Sequence, residues 1–191
     1  MCLLVNLRAH QFFFAAMAAF FVLVELLHGA VLIGQTYALR FVSIDGRTLS
    51  TADGHVTIVV LAITANWEKA RAVGDLVPDY CLGNPNYRMI TVIRFIRKHG
   101  PLVRKIAMAV VKRRVTEEAK RLQSRYDANK ITHDARQDIF TVTDFDGSVS
   151  SQFDESAESG SFRVLVFARD GKLLSQWTDV PSANQLATVL K

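Results

Sequence analysis

Two residues in this chain could carry thiol chemistry, Cys2 and Cys81, and they stand far apart. The thiolate is the form of cysteine that attacks a disulfide or a peroxide. Two isolated cysteines make neither a disulfide framework nor a zinc site, so Cys81 stands alone as a candidate thiol. The five histidines, His10, His28, His55, His99 and His133, show no ligand spacing with one another or with cysteine, and no metal site is expected. "GRTLSTADG" (Gly46–Gly54) lacks the lysine and the spacing of a phosphate-binding loop. "DFD" (Asp144–Asp146) runs into Gly147, which favours a turn over a cation site. Ser148, Ser150 and Ser151 form no triad with any histidine, and no cofactor is expected. Chemistry at any of these positions would depend on the elements that carry them.

Those elements parse clearly between Leu39 and Lys191. Phe41–Ile44 and Thr48–Leu49 suggest two short strands around the tight-turn pair Asp45-Gly46. "VTIVVLAI" (Val56–Ile63) is a continuous apolar, β-branched run, as expected of a central strand buried on both faces. Asn66 is placed to cap the helix that follows, which should run to about Val77 before Pro78 breaks it. Arg88–Phe95 is the next strand, and strand-helix-strand is the unit of a parallel pair. Pro101 suits the first turn of a long helix. Its Met108, Val111, Val115, Ala119, Leu122 and Tyr126 recur at three- and four-residue spacing and predict a packed face. A strand after Asp138, a short helix near Phe153, a hairpin of Val164–Phe167 and Leu173–Trp177 around Asp170-Gly171, and a closing helix after Pro181 and Ser182 complete the chain.

The amino-terminal segment differs in kind. From Gln11 to Tyr37 it holds no Lys or Arg, and Glu25 is its only acid. At roughly 1.5 Å per residue, Phe12–Gly34 is long enough to cross a hydrocarbon core of roughly 30 Å. Retention as a single-pass anchor is one reading. A signal peptide cut near Thr36–Ala38 is another, although its apolar region would be unusually long. A buried soluble helix is the third, and an all-round apolar surface argues against it. Glu25 and His28 lie three residues apart on one helix face. A charge at mid-bilayer costs about 2.5–3.5 kcal/mol, so the two are expected to hydrogen-bond each other or to contact another membrane helix. Arg8 on one side and Arg40 and Arg47 on the other leave orientation open.

The order hairpin, strand, helix, strand, long helix, strand, short helix, hairpin, helix resembles the thioredoxin fold, in its membrane-tethered thiol–disulfide reductase and peroxiredoxin-like branch. The resemblance covers about Leu39–Lys191. It is carried by "SIDGRTLSTADGHVTIVVLAITANW" (Ser43–Trp67) and "FRVLVFARDGKLLSQW" (Phe162–Trp177). It implies an α/β thioredoxin-like three-layer sandwich, a central mixed sheet flanked by helices, with an amino-terminal transmembrane helix. Residues 1–38 would be the anchor and 39–191 the thioredoxin-like domain. The family places a Cys-x-x-Cys after the central strand, where this chain has Trp67-Glu68-Lys69-Ala70 followed by Arg71. A peroxiredoxin-type Thr-x-x-Cys would fall on Thr64 and Trp67. The family's cis-proline before the last hairpin falls on Phe162. The resemblance therefore implies a degenerate active site at Trp67, Ala70 and Phe162, with no catalytic residue there.

The basic run from Arg94 to Arg125 has eleven Lys or Arg against Glu117 and Glu118. Lys112, Arg113, Arg114, Lys120, Arg121 and Arg125 are expected to form a solvated helix face or to meet anionic lipid headgroups or an acidic protein. No aromatic residues interleave to stack bases, and nucleic acid is not expected as a partner. With a net charge of +5 the chain is only modestly basic. The leading expectation is a redox-inactive domain held at the bilayer, extracytoplasmic (periplasmic), acting as an interaction or assembly subunit of a membrane protein complex. The alternative is a thiol–disulfide oxidoreductase or peroxidase-like enzyme using Cys81.

Overall fold

A strand such as Val56–Ile63 offers no polar side to water and needs cover on both faces. The fold is organised around it. The computed structural model describes residues 31–96, 100–153 and 160–191. Glu25 and His28, and with them most of the apolar run, lie outside the described residues. Among the described residues no helix is long and apolar enough to cross a membrane.

Among the described residues seven strands form, β1 (Arg40–Val42), β2 (Thr48–Ser50), β3 (Val56–Ile63), β4 (Tyr87–Arg94), β5 (Ile139–Asp144), β6 (Arg163–Phe167) and β7 (Leu173–Trp177). The α-helices among the described residues are α1 (Trp67–Asp75), α2 (Pro101–Ala128) and α3 (Ala183–Leu190). β1 and β2 make a separate antiparallel pair, and the main sheet has the order β5-β4-β3-β6-β7. β3 is parallel to β4, β4 is parallel to β5, and β6 is antiparallel to both β3 and β7. The result is the expected mixed sheet with flanking helices, but among the described residues the three α-helices share one face, and the other outer layer is a hairpin and a 3-10 turn.

The steps from β3 to β4 and from β4 to β5 run in the same direction across the sheet. Right-handed crossovers then place α1 and α2 on the same face. The side chains agree: Arg121 of α2 reaches both carboxylate oxygens of Asp75 at 3.1 Å, and Arg125 donates to the carbonyls of Gly74 and Val77 at 3.0 Å. Leu186 and Leu190 of α3 bury against that face with Ile58, Val60, Val164 and Val166. The opposite face carries Val59, Leu61, Ile90 and Leu165, covered by Phe41, Leu49 and Phe153 from the β1–β2 hairpin and a 3-10 turn at Ser150–Phe153.

The amino-terminal approach is tied into the domain. Val31 is buried in the hairpin-side core. Gly34 N–H donates to Leu173 O, Leu173 N–H donates to Gln35 O, and Tyr37 N–H donates to Gly171 O. Gly171 has φ +87°, and a Cβ there would sit 2.4 Å from Tyr37 O, so only glycine lets the two segments approach.

Two local expectations need correction. α1 ends at Asp75 rather than Val77, because the amides of Leu76 and Val77 close back onto the helix and Pro78 disfavours helical backbone at Val77. Asn66 makes no side-chain cap. It ends a 3-10 turn, Thr64–Asn66, and its φ of −99° and ψ of 16° lack the extended geometry a cap needs. Its amide instead donates to Gly160 O at 3.5 Å. The predicted face of α2 does pack: Val111, Val115 and Tyr126 are buried, and Met108, Ala119 and Leu122 are partly buried.

Candidate functional site

β3 delivers the chain at the amino terminus of α1, where exposed backbone amides favour negative charge. The first helical residue is Trp67, half-buried against the helix-side core. One turn on, Ala70 faces inward and is buried. The segment entering β6 lies across from this turn, as the Asn66–Gly160 bond shows. Phe162, the last residue before β6, is buried in the same apolar cluster as Ala70. The three positions singled out by sequence therefore share one apolar layer, although more than ninety positions separate Ala70 from Phe162.

Basic side chains cover this layer from outside. The Arg114 guanidinium lies 5.1 Å from the centre of the Trp67 ring, and the Lys69 ammonium 5.7 Å from the centre of the Phe162 ring. Lys69 also pairs with Asp179 at 3.0 Å. Cations over aromatic faces suit such positions, but neither they nor the rings can attack a disulfide or peroxide.

Cys81 joins the same cluster, beyond Pro78 in a 3-10 turn at Asp79–Cys81. It is 6% exposed, and burial pushes its thiol up to about 11. At neutral pH almost none of it is thiolate. Cys2 lies outside the described residues.

Between α1, α2 and the strands β4 and β5 is a cleft of about 210 Å³. Trp67, Ala70, Met89, Val115, Leu122 and Ile139 give it an apolar floor, and Arg71, Asp75, Glu118 and Arg121 stand at its edge. Burial raises the Glu118 carboxyl, and Arg121 and Arg71 oppose that shift. Sequence reasoning did not find this cleft. It arises from the spacing of two helices over a sheet, and no local pattern encodes that.

The basic residues of α2 divide by role. Arg121 and Arg125 tie α2 to α1 and to Asp79. Arg114 sits on Trp67, while Lys112, Arg113 and Lys120 face solvent, with Arg113 paired to Glu117 on its own helix. The run is not one solvated face. The DFD segment is a turn: Asp144 is buried and accepts from the amides of Gly147 and Ser150 and from the Ser150 hydroxyl. Among the described residues no group of three or more His, Cys, Asp or Glu could hold a metal ion.

A central strand opening onto a helix amino terminus, a residue facing it from the entry to an antiparallel strand, and a closing hairpin and helix define a thioredoxin-like domain. The order β5-β4-β3-β6-β7 is that fold with a parallel strand added at one edge and a hairpin laid over one face. No family model matches the chain, and no curated protein matches it. In structure it is similar to the pneumococcal exposed lipoprotein thioredoxin Etrx1 of Streptococcus pneumoniae, at 10% identity and a TM-score of 0.49, covering 81% of this chain and 98% of that one. It is also similar to StoA of Bacillus subtilis, at 12% identity and a TM-score of 0.48, covering 83% and 99%. A thiol:disulfide interchange protein of Chlorobium tepidum, described as a putative DsbE, gives 10% identity and a TM-score of 0.49, covering 85% and 100%. Strand order and connection define the fold.

Proposed function

We propose that this protein is a redox-inactive thioredoxin-like domain, tethered to a membrane by its amino-terminal segment, that serves as an interaction or assembly subunit of a membrane protein complex. One observation carries the reading. The frame that would position a reactive thiol is kept, while the positions for sulfur and for the facing proline hold Trp67, Ala70 and Phe162 in a common apolar layer. A retained frame with filled reactive positions leaves a surface to use.

The rival reading, a thiol–disulfide oxidoreductase or peroxidase-like enzyme using Cys81, is weakened by the burial of that thiol and its upward shift. Retention of the anchor is supported by the ties between Val31–Tyr37 and β7. Cleavage near Ala38 would strip Val31 from the core and free the edge of Leu173. In this reading Glu25 and His28 mark the anchor face that meets another protein's helix, and the domain lies on the extracytoplasmic, periplasmic side.

The test is purification of the full chain from native membranes, with Glu25→Leu/His28→Leu as comparison. Interhelical hydrogen bonds of this kind are worth about 0.6–2 kcal/mol, so the double variant should insert and recover less partner. Turnover of a disulfide or peroxide substrate that is lost in Cys81→Ser would overturn the proposal. A mature amino terminus at Leu39 would overturn the tether.

A further inference from the structure

The amino-terminal half of α2 is apolar on two sides. Val111 and Val115 point into the domain and are buried. On the outward side Leu102, Ile106 and Val110 form an i, i+4, i+8 row, with Val103 beside them. Their exposures are 71%, 58%, 50% and 47%. Single exposed apolar residues need no explanation, but a contiguous row on a protruding helix marks a contact surface.

Charge identifies the occupant. Lys105 and Lys112, seven residues apart and so on one side of the helix, border the row and are exposed, with no ion pair to a described residue. Arg113, whose side chain is 83% exposed, begins the turn after Val110. An apolar stripe with cations along its border is the pattern of a helix lying in a membrane interface. A second copy of the chain is a poorer fit. It would bring the unpaired Lys105 and Lys112 of one copy toward the cationic border of the other, and like charges repel.

We propose that Pro101–Val110 lies in the headgroup region of an anionic bilayer, with Leu102, Val103, Ile106 and Val110 inserted and Lys105 and Lys112 on the phosphates. This surface is separate from the degenerate site and from the proposed partner contact at Glu25 and His28. It would hold the domain flat against the membrane that anchors it and fix which face a partner meets.

The test uses the full chain with Cys2→Ser and a single environment-sensitive fluorophore on Ile106→Cys; buried Cys81 stays unlabelled. The protein is placed in vesicles of phosphatidylcholine alone or with phosphatidylglycerol, each with or without spin-labelled quencher lipid. The control is the same dye on Ser124→Cys, roughly 27 Å further along the helix at about 1.5 Å per residue. The expected result is quenching at position 106 in anionic vesicles only, reduced by high salt and absent at position 124. Lys105→Gln/Lys112→Gln should weaken the surface-bound state by roughly tenfold or more, since each cation near an anionic surface is worth about 1 kcal/mol. Equal quenching at positions 106 and 124, or quenching indifferent to lipid charge, would overturn the proposal. So would efficient disulfide cross-linking of Ile106→Cys between copies, which would assign the row to self-association. The vesicles hold no other protein, so the outcome is independent of the assembly role.

Discussion

Asp53 and Arg88 offer a sharp test of how the hairpin is held to the sheet. Arg88 projects from β4 and is nearly buried, with 5% of its side chain exposed. Its guanidinium grips Asp53 through two bonds, Nη1 to Oδ2 at 3.0 Å and Nη2 to Oδ1 at 2.8 Å. The Ser50 amide donates to Asp53 at 3.1 Å, and His55 lies 2.9 Å from it. Burial would raise the Asp53 carboxyl, but the bonds from Arg88, His55 and Ser50 outweigh it and hold it at about 2, against an ordinary 3.8. At about 1.4 kcal/mol per pKa unit that difference is about 2 kcal/mol, and the 32% exposure of the Asp53 side chain discounts it to about 1–2 kcal/mol. The folded state binds fewer protons than the unfolded state between pH 4 and 2, so this stability is present above pH 4 and is lost as pH falls to 2. Asp53→Asn keeps the shape and removes the charge. It should lower stability at pH 7 by about 1–2 kcal/mol, and the gap to wild type should shrink to about a third by pH 2.5. Urea unfolding of the full chain followed by circular dichroism, from pH 7 to 2.5, measures this. A gap that stays constant across the range would refute the reasoning.

Further outcomes follow from the same geometry. Gly171→Ala should destabilise by about 2 kcal/mol or more, because the residue is at φ +87° and its Cβ would meet Tyr37 O. Gly46→Ala, also at positive φ but facing open space, should cost only about 1 kcal/mol, and thermal melts compare the two. Cys81 should resist a thiol reagent at pH 7 until the protein is unfolded. Because its thiol is raised from 9.0 to about 11 in the fold, stability should fall as pH rises through that window, and Cys81→Ala should flatten the decline in an alkaline unfolding series. Trp67→Cys/Ala70→Cys should form an internal disulfide under mild oxidant, since the pair spans the first turn of α1. Mass spectrometry that finds both thiols free would refute the register assigned to that turn.

The elements of this fold were legible because each is encoded by a local period. The β-branched run Val56–Ile63 could only be a strand covered on both faces, and the three- and four-residue spacing from Met108 to Tyr126 could only be a helix with one packed side. The turn pairs Asp45-Gly46 and Asp170-Gly171 fixed the hairpins. The resemblance singled out Trp67, Ala70 and Phe162, and the fold brings the three into one apolar cluster. What depended on contacts between distant residues was not legible. Arg121 and Arg125 look like their neighbours in sequence, and only the placement of α2 beside α1 turns them into braces on Asp75 and the Gly74 carbonyl. Asn66 has the right chemistry for a cap, and the 3-10 turn before it removes the geometry. The place of Cys81 past Pro78, away from the helix amino terminus, points to an unreactive or partly buried thiol, and the packing of the cluster around it sets how fully it is buried. Leu102, Ile106 and Val110 look like core residues and are exposed, because packing was already satisfied on the other side of the helix by Val111 and Val115. Periodicity specifies which residues share a face, while which face meets protein and which meets solvent is decided when the helices dock.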